Sequence, residues 1–215
     1  MSREIKLMLA AMAVFAAIAG STPLPASGEE RKYVEIQWRE TGKPSIDLSQ
    51  TGVPVVSLPT GLRNILGKNY RGYRLPDDRD YAGDWKDSYD YLSPEEQEGK
   101  KVPSRQRLIR QRAPFLALGD FNHDGTTDVA VFIIGVGKEV GAWKLVVFHS
   151  SKEGFQPKEL WSVPKGMRDV PVHRYGIALK EKCSDGRSCL ELYIFESFSY
   201  EFIWQRGRYV KKAIE

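Results

Sequence analysis

From residue 113 onward the chain repeats one pattern: a short apolar or alternating segment, then a turn. Val129 to Ile134 is the first such strand, and Gly135, Gly137 and Gly141 punctuate the connection to the next, Ala142 to His149. Lys158 to Val163, His173 to Lys180, Leu190 to Ser197, Ser199 to Gln205 and Tyr209 to Ile214 follow, the last pair flanking the turn residues Arg206 and Gly207. No long 3.6-residue periodicity lies between these segments. Consecutive strands without intervening helices exclude βαβ units and predict an antiparallel meander.

The first half differs: it is rich in Gly, Pro, Asp and Tyr. Lys32 to Trp38 alternates and reads as a strand. Leu62, Ile65 and Leu66 fall at helical spacing, so a short helix is expected over Gly61 to Lys68, with Thr60 as N-cap. Ser93-Pro94-Glu95-Glu96 reads as a second helix start. The expected fold is therefore α+β: mainly an antiparallel β meander with one or two short helices packed on the sheet. At 215 residues, 41% of them hydrophobic and five of them Trp, the chain can bury a core of this kind as a single globular domain, residues 32–215.

The N-terminus reads as a secretory signal. Arg3 and Lys6 form a basic start, Leu7 to Ala19 is a continuous apolar run, and Ala17-Ile18-Ala19 offers a small-x-small cleavage pattern. Cleavage is expected after Ala19, leaving residues 20–31 as a polar, Pro-rich flexible tether. The alternative is an uncleaved anchor, but the run falls short of the roughly 20 apolar residues of a spanning helix. The mature chain is thus expected to be secreted or periplasmic, with no membrane span.

Export permits disulfides. The two cysteines, Cys183 and Cys189, flank Asp185-Gly186, a turn signal that brings their sulfurs close. A disulfide is expected; a metal reading of the pair lacks a second Cys/His pair nearby. The net charge of +4 is too small to argue for nucleic acid. The basic run Arg105 to Arg112 is either an anion patch or a solvated face.

One stretch carries recognisable chemistry. Residues Gly119 to Phe132 read GDFNHDGTTDVAVF, placing side-chain oxygens at Asp120, Asn122, Asp124 and Asp128, positions 1, 3, 5 and 9 of a loop. Gly125 at the sixth place permits a sharp turn, and the carbonyl of Thr126 at the seventh can add an oxygen. Calcium takes six to eight such oxygens, and carboxylates this close repel unless a cation lies among them. An EF-hand would carry Glu at the twelfth place and continue as a helix; here the twelfth residue is Val131 and the continuation is strand-like. The competing explanation is a metal-free Asx-rich turn. His123, at an even place, is expected to point outward.

Leu118-Gly119-Asp120-Phe121 together with Asp128-Val129-Ala130-Val131 resembles the integrin-type FG-GAP or VCBS repeat over about residues 115–134. The resemblance implies a calcium loop joining two strands. One repeat is fewer than a propeller needs, so the implication extends to the loop and its flanking strands. Extracellular modules bind calcium with a Kd on the order of 10⁻⁴ to 10⁻³ M, and at such affinity the ion is structural.

A second segment, DDRDYAGDWKDSYDY from Asp77 to Tyr91, interleaves acids with aromatics. Asp80, Tyr81, Asp84, Trp85 and Asp87 are the candidate ligand residues there, for a sugar, a cationic peptide or a second calcium; paired carboxylates could also perform glycosidase acid/base work. The competing explanation is a solvated loop whose aromatics fold onto the sheet. His123, His149 and His173 have no partners at metal-ligand spacing, and no nucleophile elbow is present. Tyr200, Phe202 and Trp204 are expected on the core face of their strand. Two functions remain: a non-enzymatic calcium-binding structural or binding protein of the cell envelope, meeting an envelope or extracellular ligand, and an envelope hydrolase acting on a polysaccharide or peptide through the carboxylates of 77–91.

Overall fold

Three sheets, not one meander, organise the strands. The computed structural model describes residues 34–49, 53–81, 113–167, 171–194 and 198–214. The expected signal and tether, the helix start at Ser93, the basic run, and Asp84, Trp85 and Asp87 lie outside the described residues.

The first sheet holds β1 (Glu35–Arg39), β2 (Ser45–Leu48) and β3 (Pro54–Pro59) in the order β1-β3-β2. Here β1 runs parallel to β3, so the expectation of antiparallel pairing fails at this one edge. Helix α1 (Thr60–Asn69) follows β3 directly. Pro59, in extended conformation, takes the cap position and Thr60 is already helical; no side-chain cap bond forms. Leu62 is fully buried, and Ile65 and Leu66 pack beside it in the core, as the i, i+3, i+4 spacing dictates. The Tyr70 N–H closes the helix on the Leu66 carbonyl at 2.9 Å.

The second sheet is the centre of the molecule. It contains β4 (Tyr73–Arg74), β5 (Leu116–Gly119), β6 (Asp128–Gly135), β7 (Trp143–Ser151) and β8 (Gly154–Val163). The order is β4-β6-β7-β8, and β5 pairs with the other end of β6. Every residue of β6 from Asp128 to Ile134 is buried, so both faces of that strand are covered. This explains its unbroken apolar run where a half-exposed strand would alternate. At β8 one face is open, and an extra residue between Trp161 and Glu159 bulges the ladder opposite Leu145 and Val146.

The third sheet, β12-β11-β10-β9, is a true antiparallel meander: β9 (Tyr175–Lys180), β10 (Cys189–Ile194), β11 (Ser199–Gln205) and β12 (Arg208–Ile214). Its hairpin turn, Arg206-Gly207, has φ of 50° and 80°, the mirror-image turn that suits strand twist. Cys183 and Cys189 are joined in a disulfide with Cα atoms 6.1 Å apart. The Gly186 N–H bonds the Cys183 carbonyl across the turn that carries them.

The second and third sheets meet along a seam of aromatic rings. Trp143 meets Tyr175 at 4.9 Å between centroids, Trp161 meets Tyr200 at 5.3 Å, and His149 meets Trp204 at 4.9 Å. Lys211 lays its ammonium over Trp161 and Tyr200, 4.4 and 4.6 Å from the ring centres, a cation–π clamp between β8 and the hairpin. Of the three aromatics expected on the core face of β11, Phe202 is fully buried while Tyr200 and Trp204 are half-buried in this seam; the opposite face buries Glu201 and Ile203 as well. Glu201 accepts from Lys180 Nζ at 2.9 Å and from the Ser184 N–H at 2.9 Å.

Candidate metal centre

The acidic loop closes the β5–β6 hairpin. Gly119, the last residue of β5, stands opposite Asp128, the first of β6, so residues 120–127 form the connection. A Cβ at Gly119 would lie 2.8 Å from Cδ1 of the partly exposed Leu179 and 3.0 Å from Cε1 of the buried Phe121, so a larger residue has to displace the leucine. Gly125 has φ of +85° with open space around it, so its conformation, not its neighbours, requires glycine.

The loop side chains fold onto the loop's own backbone. Asp120 Oδ1 accepts the Asp124 N–H at 3.0 Å, and its Oδ2 accepts the Gly125 N–H at 2.8 Å. Asn122 Oδ1 accepts the same Asp124 N–H at 3.1 Å, while its amide donates to Asp124 Oδ2 at 2.9 Å. Asp124 Oδ1 accepts the Thr126 N–H at 2.8 Å. A bond from the Thr126 hydroxyl, opposed by burial and reinforced by Asn122 and the Thr126 N–H, holds the Asp124 carboxyl below its ordinary range. Asp120, Asn122, Asp124 and Thr126 are thereby gathered in one network at the rim of the loop.

Asp128 behaves differently. It is fully buried. Its Oδ2 accepts the Phe121 N–H at 3.1 Å and faces His149 Nδ1 at 3.0 Å; its Oδ1 accepts the Ser150 N–H at 2.9 Å. A carboxylate accepts in about four lone-pair directions, and three are taken. Asp128 therefore ties the loop to β7, with at most one direction left for anything else.

The donors around the loop are oxygens, the chemistry a hard cation takes and a soft one declines. Among the described residues, the one trio of His, Cys, Asp or Glu ligand atoms gathered within 4.8 Å of one another is Cys183, Cys189 and Glu201. Those cysteines are in a disulfide and offer no thiolate. The Asp120, Asp124 and Asp128 carboxylates do not gather within this distance; their oxygens are of the type a hard cation takes, and in the loop they accept its own N–H groups.

One histidine reading changes. His123 is half-buried with φ of 61°, and its Nε2 is enclosed without a hydrogen-bond partner, where an outward-pointing side chain was expected. His149 is buried against Asp128. Its Nε2, the Ser150 hydroxyl and the Tyr209 hydroxyl are also enclosed without partners. Tyr209 stacks on His149 with ring planes 6° apart and centroids at 5.6 Å. Burial, then the charges of Asp128 and Asp120, push the Tyr209 phenol far above its ordinary range. Sequence reasoning missed the His149, Trp204 and Tyr209 cluster. Pairing β6 with β7 gives half of it: Val129 stands opposite Phe148, which brings His149 alongside Asp128.

The second candidate segment is described only at Asp80 and Tyr81. Asp80 is held by both Arg74 guanidinium nitrogens, at 2.7 and 2.8 Å, and by the Asp77 N–H at 2.6 Å. It stands at the edge of a cleft of about 520 Å³ lined also by Val140, Trp143, Met167 and His173. Tyr81 is buried, its ring 5.8 Å from Phe115, so it serves the core. Set beside known protein families, curated proteins and solved structures, the chain matches none.

Proposed function

We propose that this chain is an exported, non-enzymatic protein of the cell envelope, in which the Asp120 loop holds calcium as a structural ion and stiffens a surface for an envelope or extracellular partner. One observation carries the reading: Asp120, Asn122 and Asp124 are pre-set by the N–H groups of residues 124–126 at the mouth of a buried strand. The disulfide is compatible with an oxidising compartment. Among the described residues no helix is long and apolar enough to cross a membrane.

The hydrolase reading takes second place because Asp80 is bound by a guanidinium fork. Calorimetric titration of the mature protein with calcium tests the first reading. Binding with a Kd on the order of 10⁻⁴ to 10⁻³ M, abolished in Asp120→Ala/Asp124→Ala, is the expected result. Absence of heat in the native chain would overturn it.

A further inference from the structure

One side chain bridges the acidic loop and the last hairpin of the chain. His149 lies on β7, beside the loop. Its Nδ1 stands 3.0 Å from Asp128 Oδ2. A carboxylate that already takes two backbone N–H groups offers acceptors, so Nδ1 is the nitrogen that carries hydrogen and donates. The same imidazole lies flat against Tyr209 and edge-on to Trp204. Trp204 and Tyr209 face each other across β11 and β12 and touch at 4.9 Å. One ring thus meets the loop carboxylate through Nδ1, Tyr209 through its face and Trp204 in an edge contact. The Tyr209 hydroxyl is enclosed without a partner, in the field of Asp128 and Asp120.

We infer that His149 is a positioning residue that couples cation binding in the Asp120 loop to docking of the β11–β12 hairpin, each strengthening the other. The inference rests on the reading of the loop as a calcium site. An ion held by the loop limits the swing of Asp128. Asp128 then fixes the imidazole, and the imidazole fixes Trp204 and Tyr209. Hydrogen bonds that orient a ligand carboxylate typically change metal affinity about 10- to 100-fold. Coupling between two sites is reciprocal: calcium lowers the equilibrium population of the open hairpin by the factor by which hairpin release weakens calcium.

Hydrogen exchange on the native mature chain, with and without saturating calcium, is the primary test. Calcium is expected to slow exchange of the β11 and β12 amides on the order of 10-fold beyond any slowing in the β1-β3-β2 sheet. Two variants separate the two halves of the joint. His149→Asn keeps an N–H at the Nδ1 position and removes the ring; it should hold calcium within about threefold of native and lose the hairpin response. His149→Phe keeps a ring and removes the donor; calcium should bind about 10-fold more weakly and the hairpin response should again vanish. Stabilisation of the whole fold by mass action would slow all globally exchanging amides alike, so equal slowing in all three sheets overturns the inference. Calcium heat with a hairpin unmoved by calcium overturns this inference and leaves the calcium reading standing. No calcium heat in the native chain overturns both. The native-chain exchange decides the matter even where a variant fails to fold.

Discussion

Gly119 lies where β5 runs into the acidic loop, between Leu179 of β9 and the ring of Phe121. Its backbone is ordinary, so any penalty on substitution is one of space. Gly119→Ala should cost about 1–3 kcal/mol, the usual range for overpacking a filled site, read as a lower urea midpoint with an unchanged slope. A variant as stable as native would mean that Leu179 moves aside freely. Glu201 poses an electrostatic question instead. Burial works against its charge, but bonds from Lys180 and from Ser184 outweigh it and hold the carboxyl below the ordinary Glu range. A depressed pKa stabilises the fold above the unfolded-state value, about 4.3, and that contribution drains away as pH falls through the folded value. Glu201→Gln should therefore lower stability at pH 7 by about 2 kcal/mol, the range for a hydrogen bond to a charged group. Near pH 3 it should differ little from native. A variant whose deficit is the same at pH 7 and pH 3 would show that the charge contributes nothing.

Among the elements, the β11–β12 hairpin was legible in the sequence to within a residue, because alternation and Arg206-Gly207 specify strand and turn locally. Strands β6 and β7 were legible as apolar or alternating runs set off by the turn residues Gly135, Gly137 and Gly141. Strand β5 was not: Leu116–Gly119 is four residues of apolar sequence without alternation, and only the loop resemblance implied a strand there. The parallel pairing of β1 with β3 was hidden, since alternation reveals a strand but not its partner. The loop oxygens were legible because their spacing is local. The contacts of His149 with Tyr209 and Trp204 were not, because they depend on how two sheets pack. The hairpin turn also offers a prediction at its own scale. Arg206 has φ of 50°, a region where Asn is more at ease than Arg. Arg206→Asn should raise stability by about 0.5 kcal/mol, within the range of relieved turn strain, measurable as a higher urea midpoint. A fall would mean that the Arg206 side chain makes a contact worth more than the strain. In the neighbouring turn, replacing Cys183 and Cys189 with Ser should cost no more than about 2 kcal/mol, since a short cross-linked loop restricts the unfolded chain little.

At the scale of the whole molecule, β6 sits at the centre and the acidic loop at its entry, so a change in the loop is felt by the buried strand and by the seam beyond it. A ligand that binds only the folded state stabilises it by RT ln(1 + [L]/Kd). With a Kd on the order of 10⁻⁴ to 10⁻³ M, 10 mM calcium corresponds to about 1.4–2.7 kcal/mol. For a unit spanning Lys32–Glu215, each kcal/mol moves the melting temperature by about 2–4 °C. Thermal unfolding of the mature chain should therefore shift upward by about 3–10 °C on adding 10 mM calcium. The same ionic strength of sodium chloride should do less, because the site asks for a divalent ion and not for general screening. Magnesium should also do less, since it demands a tighter octahedron and gives up its water reluctantly. In Asp120→Ala/Asp124→Ala the calcium shift should vanish, and the calcium-free melting temperature should fall as well, because the two carboxylates accept the Asp124, Gly125 and Thr126 N–H groups that hold the loop. A shift that survives the double substitution would place the ion elsewhere in the fold.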